Sequence, residues 1–115
     1  MSARSPITTH VLDTAHGRPA AGVAVTLEKH DGGAFHRLAS GVTNDDGRIT
    51  DLLAPGSLQP GTYRICFALA EYWAKYGDSP FFPEASLVFV INDTTHHYHV
   101  PLLVSPYAYS TYRGS

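Results

Sequence analysis

The sequence predicts an all-β sandwich carrying one short helix. Three features point there: runs in which apolar and polar residues alternate with a period of two, Gly/Pro/Asp/Asn clusters that separate those runs at short intervals, and one non-alternating run of helix formers. The 115 residues fit a single domain, 1–115, since one-core units usually fall between about 50 and 200 residues.

Ile7 to Asp13 is rich in β-branched residues and ends at a turn around Gly17-Arg18-Pro19. Val23, Val25 and Leu27 alternate with Ala24, Thr26 and Glu28, which puts an apolar row on one face of a pleated strand. His30-Asp31-Gly32-Gly33 turns the chain into a weaker strand from Phe35 to Val42. Asn44-Asp45-Asp46-Gly47 is a strong turn, because these residues tolerate positive φ and Asn and Asp bond their own backbone. A short strand from Arg48 to Asp51 then runs into a surface connection marked by Pro55-Gly56-Ser57 and Pro60-Gly61. In the clearest strand Tyr63, Ile65, Phe67 and Leu69 share a core face, with Thr62, Arg64, Cys66 and Ala68 on the other. Ala70 to Tyr76 lacks alternation and stops at Gly77, which predicts one or two helical turns; Ser79-Pro80 and Phe82-Pro83 prevent continuation. Ser86 to Asn92 is apolar at nearly every position, as in a strand covered on both faces. His97 to Val104 and Ala108 to Arg113 close the chain as two strands around Ser105-Pro106. Pro101 cannot donate to a ladder, so an edge-facing or bulged position is expected for it.

Composition excludes several classes of function. Eight Lys+Arg against ten Asp+Glu, with no basic run, provide no electrostatic footprint for a phosphate backbone, so a nucleic-acid partner is not expected. The single cysteine, Cys66, forbids an intrachain disulfide and a cysteine zinc cluster, and its mid-strand setting reads as a small buried side chain. No apolar stretch reaches the length of a membrane span. The opening Met1 to Pro6 lacks the apolar core of a secretory signal, and the ending is not a peroxisomal address; a soluble, cytoplasmic protein is expected. No Gly-x-Ser-x-Gly elbow, His-Glu-x-x-His, Walker loop or dinucleotide fingerprint is present, which disfavours the corresponding hydrolases and nucleotide enzymes.

Seven histidines remain as candidate chemistry. His16, His30 and His36 lie in or beside turns and read as solvated. His10 and His99 lie inside strands, where the pleat fixes the direction of each ring. An imidazole held in this way suits proton transfer, because its ordinary pKa near 6.5 lets it act as base or acid around neutrality. His97 and His99 share a strand face, as two ligands of one metal must, but no third ligand at a recognisable spacing completes a set, so no metal site is expected. The tail is unusual for a chain end: Tyr107, Tyr109 and Tyr112 alternate with small residues and lead through Arg113 and Gly114 to the carboxylate of Ser115.

Ile7 to Asp13 with Pro19-Ala20-Ala21-Gly22-Val23, Asp46-Gly47-Arg48, His97 to Leu103, and Ser105-Pro106-Tyr107 with the terminal Tyr112-Arg113-Gly114-Ser115 together resemble the 5-hydroxyisourate hydrolases of the transthyretin-related family. The resemblance spans nearly the whole chain. It implies a transthyretin-like sandwich of two four-stranded sheets, a homotetramer with sites at the dimer–dimer interface, and cofactor-free hydrolysis of 5-hydroxyisourate. It also implies a site made of His10, Arg48, His99 and the terminal Tyr112, Arg113, Gly114 and Ser115. In that reading His10 and His99 orient and deprotonate a water, Arg48 holds the anionic substrate and the charge that develops on it, and the tail clamps the heterocycle. Trp73 stands where the family more often has Phe, away from these motifs. Two other readings are a carrier that binds a small ligand in the same channel without turnover, and an adhesion sandwich whose histidines are incidental.

Overall fold

The computed structural model describes residues 4–114 and places them in two packed sheets. In chain order the elements are β1 (Ile7–Asp13), β2 (Arg18–Pro19), β3 (Ala24–Asp31), β4 (Ala34–Val42), β5 (Arg48–Ile49), β6 (Gly61–Ala68), α1 (Ala70–Ala74), β7 (Glu84–Ile91), β8 (Tyr98–Ser105) and β9 (Ala108–Thr111). One sheet runs β4-β3-β6-β7, antiparallel throughout. The other runs β2-β1-β8-β9, with β5 also pairing with β1. The expected sandwich with one short helix is therefore found. The two-residue β2, which the sequence reads as part of a turn, gives the second sheet its fifth strand through Leu12↔Pro19 and Asp13↔Arg18.

The core lies between the sheets and is filled from both by alternate residues. Ile7, Val11, Leu102 and Val104 meet Val25, Leu27, Tyr63, Ile65 and Phe67, all buried. Alternation in β3 and β6 thus has the predicted direction. Helix α1 is shorter than its sequence run: Tyr76 and Gly77 continue as a turn, with Gly77 at φ +73°, and Tyr72 and Trp73 pack into the core.

Two expectations fail in ways that matter for the site. The run predicted to be covered on both faces is β7, an edge strand; Leu87 and Phe89 turn inward, but Val88 and Val90 are 59% and 58% exposed. Pro101 is neither at a sheet edge nor at a bulge. It lies within β8, between β1 and β9, with His10 as its β1 neighbour. On the other side the pairing Leu102↔Thr111 lapses and then resumes at His99↔Gly114 in the same register, so Pro101 falls opposite Tyr112. The proline, which has no N–H to give, occupies a two-residue gap in the ladder. Its carbonyl still accepts from the Thr111 hydroxyl at 2.8 Å.

Candidate active site

Strand β1 sorts its side chains by parity. Ile7, Thr9, Val11 and Asp13 are buried, and Thr8 and His10 occupy the opposite, outer face. Parallel pairing with β8 sets Thr8 against His99 and His10 against Pro101, while β5 on the other edge sets His10 against Arg48. Three segments far apart in sequence thereby bring two imidazoles and a guanidinium to one patch of one sheet.

The Asn44–Gly47 turn aims Arg48. Asn44 Oδ1 accepts from the backbone N–H groups of Asp46 and Arg48 at 2.9 and 3.0 Å, the Asx-type geometry expected of an Asn-led turn. The Gly47 carbonyl accepts from Val11 N–H at 2.7 Å, which fastens the turn to the strand residue after His10. Gly47 has φ +74°, and a Cβ there would collide with the Val11 carbonyl, so only glycine fits.

Beside this patch lies an open cavity of about 210 Å³ lined by Arg4, Thr8, Arg48, Thr50, His97 and His99. Burial and the Arg48 charge lower the pKa of His10 below the ordinary 6.5, partly offset by the backbone and charge of Asp46. Burial, then Arg48, His10 and His97, lowers His99 as well. His97 is lowered by burial and by Arg4. Near neutrality all three rings are uncharged and lie close to guanidinium groups. That arrangement can accept a proton from water and hold an anion.

His99 is held on two sides. Its Nδ1 lies 2.9 Å from Thr8 Oγ1. On the other side Gly114 donates its N–H to the His99 carbonyl at 2.8 Å and packs so closely that a Cβ at 114 would stand 2.6 Å from His99 Cδ2. The glycine of the terminal motif thus acts on the imidazole directly. Tyr112 and Arg113 do not enter the cavity with Arg48. They line a neighbouring groove of about 240 Å³ with Leu87, Phe89, Tyr98 and His99, and the Arg113 guanidinium carbon lies 4.5 Å from the centre of the Tyr98 ring. His99 borders both hollows. Ser115 lies outside the described residues.

Arg4, Thr8 and His97 line the cavity without having been singled out as catalytic. Arg4 sits in a segment with no pattern, and Thr8 looks like any strand threonine until β8 is laid beside it. The sequence does place His97 and His99 on one face, and both rings turn toward the same Thr8 hydroxyl. Among the described residues no group of three or more His, Cys, Asp or Glu side chains is gathered as for a metal.

Residues 7–114 match the model of the HIUase/Transthyretin family. A 5-hydroxyisourate hydrolase of Deinococcus radiodurans is 48% identical over 119 residues, covering 100% of both chains. Among solved structures, 5-hydroxyisourate hydrolase of Klebsiella pneumoniae superposes with a TM-score of 0.81 at 39% identity, covering 95% of this chain and 98% of that one. Sea bream transthyretin, solved in complex with thyroxine, gives a TM-score of 0.90 at 32% identity, covering 96% and 95%. The backbone is thus shared between an enzyme and a ligand-binding protein, whereas sequence identity is higher to the enzymes. With the match running from the first residue of β1 to the glycine packed on His99, the chain belongs to the HIUase/Transthyretin family.

Proposed function

We propose that this chain hydrolyses 5-hydroxyisourate, the urate oxidation product, to 2-oxo-4-hydroxy-4-carboxy-5-ureidoimidazoline in purine breakdown, acting as a single domain. The observation that carries the reading is the meeting of His10, Arg48 and His99 on one sheet face, bordered by the family's terminal glycine.

Opening a cyclic amide requires a nucleophilic water and a place for the charge that develops on the carbonyl oxygen. One neutral imidazole takes a proton from water as its oxygen bonds to the ring carbonyl carbon. The carbonyl electron pair moves to oxygen, where the Arg48 guanidinium meets it with paired N–H donors. Collapse breaks the carbon–nitrogen bond, and an imidazolium returns a proton to the departing nitrogen. His10 and His99 supply the two rings, and the tail contributes Gly114, packed on His99, with Tyr112 and Arg113 lining the neighbouring groove that His99 also borders. None of these steps calls on a cofactor.

The cavity is open on its outer side, and a sandwich of this size cannot enclose a ring without emptying its core. A homotetramer with sites between dimers supplies the missing wall. Val88 and Val90 on the unpaired β7 edge, and the edge of β9, are surfaces suited to such contacts. The free thiol of Cys66 is compatible with a reducing, cytoplasmic setting.

The superposition on a thyroxine-bound transthyretin favours a second reading, a carrier that binds without turnover. Freshly generated 5-hydroxyisourate decides between them. The protein should speed the decay of its absorbance well beyond the spontaneous rate, and decay at the spontaneous rate would leave only the carrier.

A further inference from the structure

A single hydroxyl stands between two imidazoles at the back of the cavity. Thr8 Oγ1 lies 3.0 Å from His97 Nε2 and 2.9 Å from His99 Nδ1. It carries one proton, so it can donate to only one of the rings and must accept from the other if both contacts are hydrogen bonds. The tautomers of the two histidines are therefore linked, and the state of His97 decides which nitrogen of His99 holds the proton.

We propose that Thr8 and His97 are positioning residues, in which the Thr8 hydroxyl donates to His97 Nε2 and accepts from His99 Nδ1–H, leaving the Nε2 lone pair of His99 free to take a proton from water. This rests on the hydrolytic reading above and deepens it by naming His99 as the base.

The backbone determines the direction of the relay. His97 Nδ1 is buried with no hydrogen-bond partner among the described residues, and the Ser5 backbone favours the protonated ring, partly offsetting burial and Arg4. The Thr8 carbonyl does the same for His99. Carbonyls only accept, so both rings are drawn to carry their proton on the side away from the cavity. The opposite relay would put the His99 proton on Nε2 and turn a lone pair of His97 toward buried carbonyl surroundings. His99 Nε2 makes no hydrogen bond to any of the described residues, and the ring borders the cavity. The charged or titratable groups around the pair are Arg48 on β5, His10 on β1, Arg4 beside His97, and Arg113 on the groove side of His99. Among the described residues none of these is a carboxylate. An imidazole in the wrong tautomer fails as a base even when its position is kept.

Long-range proton–nitrogen correlation spectra of the nitrogen-15-labelled protein at pH 8 report which nitrogen of each histidine is protonated. In the wild type His97 and His99 should both carry their proton on Nδ1. Thr8→Val, which keeps the shape and removes the hydroxyl, should bring out the Nε2–H form of His99. It should also lower kcat by about tenfold or more, with KM changed less than about threefold. Thr8→Ser should restore both, which a merely structural threonine would not require. A wild-type His99 protonated on Nε2, or full turnover by Thr8→Val, overturns the relay. If the valine variant does not fold, the wild-type tautomers and the serine variant still decide. Absence of turnover by the wild type overturns the substrate reading instead, and the tautomer spectra judge the relay independently.

Discussion

The two ends of β1 each hold histidine among other polar groups, His16 alone at one and His10, His97 and His99 at the other, and they differ in the charge that surrounds the rings. At the far end Asp13 is buried, and its Oδ2 lies 2.7 Å from His16 Nδ1 and accepts from the Tyr72 hydroxyl at 2.6 Å. Its Oδ1 takes the backbone N–H groups of Ala15 and His16. Burial alone would raise the Asp13 carboxyl, but the bonds from Tyr72 and His16 hold it below its ordinary value. The His16 ring stacks on Tyr76, with centroids 4.1 Å apart, and Arg18 donates to the Tyr76 hydroxyl. Both carboxylate oxygens of Asp13 are thus engaged. At the near end, among the described residues, Asp46 acts on His10 but no carboxylate acts on His99, whose pKa is lowered by burial and then by Arg48, His10 and His97. A carboxylate turns an imidazole into a structural tie, while burial, helped by nearby guanidinium groups, keeps it neutral and available. One strand thus carries a rivet at one end and the candidate site at the other.

Substitutions can break this contrast. The largest effect is expected for His99→Ala and His10→Ala, each lowering turnover of 5-hydroxyisourate at least about a hundredfold with the fold intact by circular dichroism. Wild-type rates from either variant would remove that ring from the chemistry. Arg48→Gln should cost on the order of 3 kcal/mol in kcat/KM. It should also move the acid limb of the pH profile. With Arg48 present both rings titrate below the ordinary histidine range, so activity should persist to lower pH than an unperturbed imidazole allows. Removing the cation raises their pKa and shifts the limb to higher pH. An unmoved limb would show that Arg48 does not govern the rings. Gly114→Ala should lower kcat by roughly tenfold, since its methyl displaces the His99 ring; an unchanged kcat would mean that the ring can yield without loss. Asp13→Asn should leave turnover per folded molecule unchanged and lower unfolding stability by about 1.5–3 kcal/mol, because a buried acceptor of several hydrogen bonds becomes half a donor. A loss of kcat with unchanged stability would erase the distinction between the two ends.

Much of this was legible from local patterns. Alternation placed the core rows of β3 and β6. The in-strand settings of His10 and His99 marked two of the three central groups, and the family resemblance added Arg48. What escaped depends on pairings between distant segments. Thr8 and His99 are 91 residues apart, and only the parallel β1–β8 register gives Thr8 its partners. The same register turns Pro101 from an edge residue into the residue at a gap inside a sheet. His16 is exposed, as its turn setting suggests, but nothing local reveals that Asp13 and Tyr72 converge beneath it. Val88 and Val90 look like core positions because hydrophobicity alone does not distinguish an interior from an unpartnered edge.

The seating of Gly47 against Val11 has a wider consequence. That loop residue touches no substrate in any reading of the site, yet its lack of a side chain sets how near the arginine's root can approach the histidine strand. Arg48 is aligned through a main-chain hydrogen bond at its neighbour, like a gear seated on its shaft. A side chain at this bend would therefore push the arginine away from the histidine strand without touching either side chain.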